Sequence, residues 1–446
     1  MISNLRSPIY VQIEITSNCN NKCLHCYNFW RYDQTNERKE LSISEWKKVA
    51  KILGENDIFY ATITGGEPFV AKEKTYNLMN FLREQNIRIM INSNATLINQ
   101  NEAEKLSTYP IEIFLVSLIS SNPRQHNEIA NSNLAFQKTV QGIKNLQKAK
   151  INLAINMVAS KINYQNVYTT GKWVYENLGI KNFSATPICP SVQEHQVLEL
   201  NEKETIDTLG QLLQLKKDFG LNVDILEVFP TCLFENLENE IVETFSKRMC
   251  TAGNTTITIG SEGNIRACSY DQKSYGNILN ESFNNIWKRM EIWRNNSLLP
   301  PECNECIIAD SCGGGCRVNA KVKQDGYCEL SNFYKGALKE KQEKFFKETS
   351  EIQLNKKLSL SKNILFREEK ENKFVLVANS MHFVIVNDKG LEVVKHLNTL
   401  SSFTPSEIIS ALNLDVEKDR KFFAELFQKG FLLEPATKPK GGGKDG

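Results

Sequence analysis

Three cysteines lie close together near the amino terminus, in the segment ITSNCNNKCLHCY, with the spacing C-x3-C-x2-C. They are Cys19, Cys23 and Cys26. A closed [4Fe–4S] site takes four cysteine thiolates, so a loop that supplies three leaves one iron free to bind a small molecule. Structural zinc with His25 as fourth ligand is the alternative. Because His25 is adjacent to Cys26, a tetrahedral chelate would be strained, and the spacing favours an iron–sulfur cluster.

A second segment, TITGGEP, contains Gly65, Gly66, Glu67 and Pro68. Two adjacent glycines let the backbone approach a ligand closely, and Glu67 adds an anion suited to an ammonium group. Taken alone, the segment fits a tight turn equally well. With the cysteine loop upstream of it, GGEP indicates a cofactor site.

Eight of the twelve cysteines lie between about residues 230 and 334. Seven of them have regular spacing, Cys250-x12-Gly263-x4-Cys268, then Cys303-x2-Cys306-x5-Cys312-x3-Cys316, and finally Cys328. Two [4Fe–4S] clusters need eight ligands, and Cys232 is placed to be the eighth. The alternative interpretation is a pair of zinc knuckles.

One cysteine is left over, Cys189 in the segment TPICPS. A lone buried cysteine is most often a small core residue. The alternative hypothesis is that Cys189 faces the site and acts as a hydrogen-atom donor or radical relay. A peptide epimerase would use such a residue.

The elements that must position these residues alternate between strand and helix. From Tyr10 to about Leu226, short β-branched runs alternate with amphipathic stretches, the pattern of βα units around a parallel sheet. Six strands are predicted, at Tyr10 to Thr16, Ile58 to Thr64, Arg88 to Asn92, Ile111 to Leu118, Asn152 to Val158 and Asn182 to Pro187. The two motifs follow the first two strands, at the sheet's carboxyl edge, where βα loops build sites. The predicted fold class is α/β, a partial (β/α)6 TIM-like barrel.

The last part of the chain has a different pattern. Three strands are predicted at Ile364 to Arg367, Phe374 to Ala378 and His382 to Val386, then helices at Gly390 to Leu397, Pro405 to Leu412 with Thr404 as N-cap, and Val416 to Gln428. This order indicates a small winged-helix-like α+β domain. Ten basic against eleven acidic residues between Ser361 and Ala436 argue against a phosphate-binding surface.

The composition of the chain excludes some classes of protein. The chain has 54 Lys plus Arg and 52 Asp plus Glu, which excludes a protein that binds nucleic acid or anionic membrane through its net charge. We find no signal peptide or membrane span, so a cytoplasmic location is expected, where clustered cysteines bind metal rather than form disulfides. The expected domains are 1–228 for the barrel, 229–335 for the cysteine-rich region, 336–360 for a helix and linker, 361–436 for the C-terminal domain and 437–446 for a disordered tail.

The cysteine loop and GGEP together resemble the radical S-adenosylmethionine (SAM) superfamily, over Glu14 to about Pro190. The resemblance implies that Cys19, Cys23 and Cys26 hold a [4Fe–4S] cluster whose open iron binds SAM, and that Gly65 to Glu67 bind the methionine amine. Asn94 and Ser117 stand where the family has further SAM contacts. Ile119 replaces an acidic family residue. The implied chemistry is SAM cleavage to a 5′-deoxyadenosyl radical that abstracts hydrogen.

The later cysteines resemble the SPASM domain of peptide- and protein-modifying radical SAM enzymes. The resemblance implies one auxiliary cluster on Cys250, Cys268 and Cys316 with Cys232, and a second on Cys303, Cys306, Cys312 and Cys328. It therefore implies three [4Fe–4S] clusters in all, with flavodoxin or ferredoxin as electron donor.

The stretch VLVANSMHFVIVNDKGLEVVKHL and the element order after it resemble the PqqD-like element that binds leader peptides of ribosomally made natural products. The resemblance implies that a precursor's leader adds as a strand to an exposed edge, either Phe374 to Ala378 or His382 to Val386. Tethering then raises the local concentration of the core peptide at the active site.

Together these features predict a precursor-peptide maturase that installs a thioether or carbon–carbon cross-link. One alternative is sulfatase-maturase-like oxidation of a protein Ser or Cys, although that family has an aspartate where this chain has Ser269. Epimerisation through Cys189 is a second alternative. A leader-binding or electron-transfer protein without catalytic activity is the third, and the intact cysteine loop with GGEP argues against it.

Overall fold

Strands and helices alternate along the first half of the chain. A computed structural model describes residues 5–32, 39–189, 192–246, 248–295, 297–299, 301–318, 352–379 and 382–434. The chain divides into two units, Met1–Phe345 and Phe346–Gly446. Each unit is described by itself.

The first unit is built on a parallel sheet whose strands follow one another in chain order. The six predicted strands are confirmed as β1 (Tyr10–Glu14), β2 (Tyr60–Thr64), β3 (Arg88–Ser93), β4 (Ile111–Ser117), β5 (Leu153–Ala159) and β6 (Asn182–Pro187). A short β7 (Asn222–Asp224) adds beyond β6. Because β1 to β7 are all parallel neighbours, their carboxyl ends meet at one edge.

The cysteine-rich region extends this same sheet, which the sequence did not predict. Strand β8 (Thr256–Ile259) pairs in parallel with β1, so that Val11 lies opposite Ile257. Strand β9 (Asn264–Arg266) runs antiparallel to β8, and β10 (Gly276–Asn277) runs antiparallel to β9. The result is a ten-stranded sheet in the order β10-β9-β8-β1-β2-β3-β4-β5-β6-β7.

Helices connect the strands of this unit. In chain order they are α1 (Ile43–Glu55), α2 (Lys72–Glu84), α3 (Gln100–Leu106), α4 (Pro123–Ala130), α5 (Ala135–Lys148), α6 (Val167–Leu178), α7 (Glu202–Phe219), α8 (Asn239–Phe245), α9 (Phe283–Arg289) and α10 (Ala309–Cys312). Helix α1 begins after Ser42, whose hydroxyl accepts from the N–H of Glu45 in a capping box. Its apolar face is buried, with Trp46 and Leu53 fully enclosed.

The second unit has its own apolar core, formed by residues between Ile352 and Leu432. Its strands are β11 (Ser359–Leu360), β12 (Leu365–Glu368), β13 (Lys373–Asn379), β14 (His382–Asn387) and β15 (Leu432–Leu433). Its helices are α11 (Asp388–Leu397), α12 (Pro405–Ala411) and α13 (Val416–Gln428). Thr404 caps α12 as predicted. Ile352 and Leu358 belong to this core, so the unit begins before residue 361.

One prediction about the second unit is wrong. Phe374 to Ala378 is one of the two alternative exposed edges that the sequence predicts, but it lies in β13, which pairs with β12 on one side and β14 on the other. Three successive antiparallel strands joined by short turns place the middle strand at the centre. Within the described residues, the outer strands of this sheet are β12 and β14.

No helix in the described part of the chain combines the length and the apolar character that crossing a bilayer requires. Of the predicted helix and linker, 336–360, residues 336–351 lie outside the described residues, as does the predicted tail, 437–446.

Candidate active site

A cavity of about 360 Å³ lies at the carboxyl edge of the parallel sheet. Its walls come from the loops after β1, β2, β3 and β6, from inward-facing residues on β4 and β5, and from the cysteine-rich region. The cysteines that line it are Cys19, Cys23, Cys26, Cys189, Cys250, Cys268 and Cys316. Cysteines from both predicted sets therefore meet in one cavity.

The first cysteine loop is held in a form suited to an iron–sulfur cluster. The backbone N–H of Asn21 donates to Cys19 Sγ over 3.4 Å, and hydrogen bonds to ligand sulfurs are typical of such clusters. Burial raises the pKa of Cys19 to about 11 and that of Cys23 to about 12. Because burial makes the Cys19 and Cys23 thiols costly to ionise unless a cationic centre binds them, this donor set fits the cluster.

His25 also lines the cavity. Burial lowers its pKa to about 3, so its imidazole is neutral at physiological pH. Arg31, which sequence reasoning missed, lines the same wall and its guanidinium contacts Cys26. It places a cation beside a thiol that must lose its proton to bind metal.

The two glycines after β2 let two loops pack closely. Gly66 N–H donates to Thr16 O over 2.7 Å, and Glu67 N–H donates to Asn18 O over 2.8 Å. A Cβ on Gly66 would lie 2.0 Å from the carbonyl oxygen of Asn18, and Gly65 has φ of +133°. The sequence predicted close approach to a ligand. The structure adds close approach to the backbone that carries Cys19.

The side chain of Glu67 connects the loop after β2 to the loop after β3 through hydrogen bonds. Its Oε1 accepts from Ser93 Oγ at 2.7 Å and from Phe69 N at 3.1 Å, and its Oε2 accepts from Asn94 N at 2.8 Å. Burial raises the pKa of Glu67 to about 7, although these three donors act in the opposite direction. The carboxylate thus positions the loops as well as placing negative charge beside the cavity.

The remaining predicted cofactor contacts divide into two groups. Asn94 and Ser117 line the cavity, and Asn94 Nδ2 also donates to Asn20 Oδ1 over 2.9 Å, which joins the β3 loop to the cysteine loop. Pro68 is buried outside the cavity wall, where it begins the 3-10 helix Pro68–Ala71. Ile119 lines the cavity with an apolar side chain, where the resembled family has an acid.

The second cysteine set occupies the other side of the cavity. Cys250 precedes β8 and Cys268 follows β9, and the backbone N–H of Cys316 donates to Val228 O over 3.0 Å. Cys189, two residues after β6, has its Sγ 4.0 Å from Cys316 Sγ. Glu227 contributes a buried carboxylate beside these two sulfurs, a residue that nothing in the sequence singled out.

The other predicted cluster ligands lie around α10. Cys303 ends the 3-10 helix Pro301–Cys303, and the N–H of Cys306 donates to Cys303 O over 3.1 Å. Cys312 ends α10, and its Sγ accepts from the N–H of Thr231 over 3.2 Å. Cys232, next to Thr231, is therefore on this side and does not line the cavity. Cys328 lies outside the described residues.

A buried ion pair joins the two halves of the site. Arg266 at the end of β9 pairs with Glu14 at the end of β1, and the exposed fractions of the two side chains are 4% and 2%. The guanidinium also lies over the rings of Phe29 at 5.0 Å and Trp30 at 5.4 Å. The only local hint in the sequence was an acidic residue directly before the cysteine loop.

Further contacts cross the same boundary. Ser269 Oγ donates to Gln12 Oε1. The rings of Tyr27 and Tyr270 meet edge to face, with centroids 5.5 Å apart. Since Tyr27 follows Cys26 and Tyr270 lies two residues after Cys268, this contact runs between the two cysteine sets.

Two family models match the chain. Residues 13–174 match the radical SAM superfamily, and residues 250–307 match SPASM, an iron–sulfur cluster-binding domain. The first range contains the cysteine loop and GGEP. The second range contains Cys250, Cys268, Cys303 and Cys306.

Similar proteins differ in the activities that their names give. An AdoMet-dependent heme synthase from Methanosarcina barkeri is 24% identical over 346 residues, which covers 74% of this chain and 97% of that protein. The antilisterial bacteriocin subtilosin biosynthesis protein AlbA from Bacillus subtilis is 24% identical over 329 residues, covering 69% of this chain and 67% of AlbA. Among solved structures, Streptococcus suis SuiB bound to the precursor peptide SuiA superposes with a TM-score of 0.58 at 20% identity, covering 73% of this chain and 77% of SuiB. The superposition shows a shared fold.

The Glu14–Arg266 pair generates a stability prediction. Changing Glu14→Gln leaves the Arg266 cation buried without its counter-ion, and we expect a loss of about 3–5 kcal/mol in the free energy of unfolding. The double variant Glu14→Met with Arg266→Met removes both charges and should recover most of this loss. Guanidinium unfolding of the full chain, followed by tryptophan fluorescence, measures both.

The half-exposed pair Arg289–Glu281 provides the control. Glu281→Gln should cost no more than about 1 kcal/mol, because water already solvates both groups. Equal losses for Glu14→Gln and Glu281→Gln would contradict the special role of the buried pair.

Glu67 generates a prediction about cofactor binding. In Glu67→Gln one acceptor oxygen replaces two, so a donor from Ser93, Phe69 or Asn94 loses its partner. Such a loss costs about 1–3 kcal/mol, and we expect SAM affinity to fall roughly tenfold or more. With the pKa of Glu67 near 7, lowering the pH from 8 to 6 protonates the carboxyl, so wild-type affinity should also fall.

Anaerobic calorimetric titration of the cluster-loaded protein with SAM measures both effects. Glu102→Gln is the control, because Glu102 accepts from Lys72 and Tyr76 away from the cavity. If Glu67→Gln and Glu102→Gln bind SAM equally well, Glu67 does not organise the cofactor site.

Proposed function

We propose that this chain, which carries a radical SAM domain followed by a SPASM domain, modifies a ribosomally made precursor peptide by hydrogen abstraction and cross-linking. The radical SAM domain binds a [4Fe–4S] cluster and SAM, and SPASM binds additional iron–sulfur clusters. The observation that carries the proposal is the single cavity lined both by Cys19, Cys23 and Cys26 and by cysteines of the SPASM region. The cavity is thus bordered by residues that would hold the radical source and by residues that would hold a second redox centre.

The first cluster and SAM supply, when bound, one electron and a 5′-deoxyadenosyl radical. Glu67 holds the loops after β2 and β3 against the cysteine loop, and Gly65 to Glu67 are the proposed contacts of the methionine amine. Asn94 and Ser117 are proposed further contacts, because both line the cavity. Apolar side chains such as Ile119 and Val158 limit water near the substrate.

A cross-link requires the peptide to lose two hydrogens. One leaves as an atom to form 5′-deoxyadenosine, and the second leaves as a proton together with one electron. The SPASM clusters are the proposed acceptors of that electron. An external flavodoxin or ferredoxin is the proposed electron donor of the enzyme. We propose three [4Fe–4S] clusters in total and a thioether or carbon–carbon bond as the product.

Peptide relatives support this choice of substrate. AlbA is named for subtilosin biosynthesis, and SuiB is seen with the precursor peptide SuiA. The second unit, Phe346–Gly446, supplies a place for a leader peptide, since its strand β14 offers six residues at an outer edge of the sheet. We propose that the leader adds to β14, and that the protein acts in the cytoplasm where precursors are made.

A haem precursor is the second candidate substrate, favoured by the similarity to AdoMet-dependent heme synthase. That match takes 97% of the relative but only 74% of this chain. About a quarter of this chain therefore lies outside it, which is close to the size of the second unit. An additional unit of this size favours a substrate, such as a precursor peptide, that has a recognition segment separate from its reacting atoms.

Two other activities have weaker support. In sulfatase-maturase-like oxidation an aspartate would stand at Ser269, but Ser269 donates its hydroxyl to Gln12 and cannot serve as a carboxylate base. Epimerisation requires a thiol free to give a hydrogen atom, and Cys189 lies beside Cys316 and Glu227. A product with deuterium from solvent at a Cα and no loss of hydrogens would point to epimerisation.

The test searches the DNA beside this gene for a short open reading frame and uses the peptide that it encodes in anaerobic turnover. With dithionite and SAM, the full-length enzyme should form 5′-deoxyadenosine and a peptide lighter by two hydrogens for each cross-link, measured by mass spectrometry. The variant Cys19→Ala/Cys23→Ala/Cys26→Ala should form neither. Turnover of a haem precursor with the peptide unchanged, or no 5′-deoxyadenosine at all, would refute the proposal.

Leader binding at β14 is tested separately. Ile385→Glu places a charge on β14, and we expect the dissociation constant of the full precursor, measured by fluorescence anisotropy, to rise at least tenfold. Phe366→Glu is the matched control, because Phe366 is an exposed apolar residue on β12, the opposite outer strand. If Phe366→Glu weakens binding and Ile385→Glu does not, the leader does not use β14.

A further inference from the structure

We propose that Cys189 is the fourth protein ligand of the auxiliary cluster bound by Cys250, Cys268 and Cys316. This inference rests on the proposed iron–sulfur clusters and deepens that proposal, because it identifies the residue that closes one of them. The sequence pattern had assigned this position to Cys232 and had left Cys189 over.

The first supporting observation is distance. Cys189 Sγ lies 4.0 Å from Cys316 Sγ, so the two sulfurs are close enough to bind the same metal centre. Among the described residues, Cys189, Glu227 and Cys316 are the group of potential metal ligands whose donor atoms all lie within 4.8 Å of one another. Cys250 and Cys268 line the same cavity as this pair.

The second observation is how the four thiols arrive at this place. Cys189 follows β6, Cys250 precedes β8, Cys268 follows β9 and Cys316 follows α10. Four separate segments bring one sulfur each to a buried region, and Cys189 itself is 2% exposed. Four cysteine ligands are what a closed [4Fe–4S] cluster requires.

The position of Cys232 provides the contrast. It lies in the 3-10 helix Thr231–Phe234, and the N–H that begins this helix donates to the sulfur of Cys312. Cys312 belongs to the other predicted cluster. Cys232 therefore lies towards the second auxiliary set, whereas Cys189 lies in the cavity with the first.

This assignment changes what Cys189 can do. A thiolate bound to iron carries no hydrogen to donate, so a hydrogen-donor role for Cys189 is incompatible with it. A cluster with four cysteine ligands has no open iron for a substrate sulfur, so its role is to accept or pass electrons. Cys189 also links this cluster to the sheet directly, because it is two residues from the end of β6.

The experiment removes the first cluster so that iron reports on the auxiliary clusters alone. The full chain carrying Cys19→Ala/Cys23→Ala/Cys26→Ala is reconstituted anaerobically, and it should hold about eight irons, the content of two [4Fe–4S] clusters. Cys189→Ala, Cys189→Ser, Cys232→Ala and Glu227→Gln are then added one at a time. Iron, sulfide and zinc contents and the electron paramagnetic resonance spectrum of the reduced protein are measured.

We expect Cys189→Ala to lose about four irons or to give a changed spectrum that 2-mercaptoethanol restores, because an added thiolate can replace the missing ligand. Cys189→Ser should keep its iron with shifted g values, since an alkoxide oxygen replaces sulfur. Cys232→Ala and Glu227→Gln should leave the spectrum of this cluster as it is. Restoration by thiol separates lost ligation from misfolding.

The inference is overturned if Cys189→Ala retains both iron and spectrum, if Cys232→Ala or Glu227→Gln changes the cluster in its place, or if the iron loss in Cys189→Ala is not restored by thiol while Cys189→Ser shows no shift. These outcomes leave the proposed function standing. A parent protein that holds zinc instead of iron would instead defeat the proposed cluster chemistry itself.

Discussion

The buried pair of Glu14 and Arg266 is the constraint on which the arrangement of the site depends. It joins the end of β1, where the first cysteine loop begins, to the end of β9, two residues before Cys268. Both charges are almost fully removed from water, so each is tolerable only while the other is in place. The distance between the two cysteine sets is therefore fixed by a contact that belongs to neither set.

The pairing of β8 with β1 also fixes the two cysteine sets relative to each other, here through backbone hydrogen bonds. A parallel ladder from Tyr10–Thr256 to Ile13–Ile259 makes the SPASM region a continuation of the barrel sheet. Residues at and after the end of β9 reach β1 through their side chains, since Arg266 pairs with Glu14 and Ser269 donates to Gln12. These contacts bring residues of both regions to one cavity. The segments that carry the two sets of cysteines are consequently attached to one continuous sheet.

Local patterns predicted the elements well because they depend on nearby residues. The β-branched runs gave all six barrel strands, and Thr404 gave the start of α12. Strand β8 was missed because four residues carry little periodic signal and its partner β1 lies more than 240 residues earlier in the chain. The central position of β13 was missed although two successive hairpins imply it.

The sequence predicted those site residues that lie close together along the chain. It did not predict those that only the fold brings together. The C-x3-C-x2-C loop and the GGEP segment can each be recognised from a few consecutive residues. Cys189 has no such neighbour in the sequence, and only the fold places it beside Cys316, 127 residues later. Arg266 and Glu227 were missed for the same reason.

The close contact at Gly66 has a consequence for how this protein can vary. A single methyl group there would sit 2.0 Å from a carbonyl oxygen of the main chain, which has no rotamer through which to move aside. The loop that carries Cys19 would have to shift as a whole, and the sulfur of Cys19 would shift with it. Any side chain larger than a hydrogen atom at residue 66 would therefore displace the loop on which the first cysteine set depends.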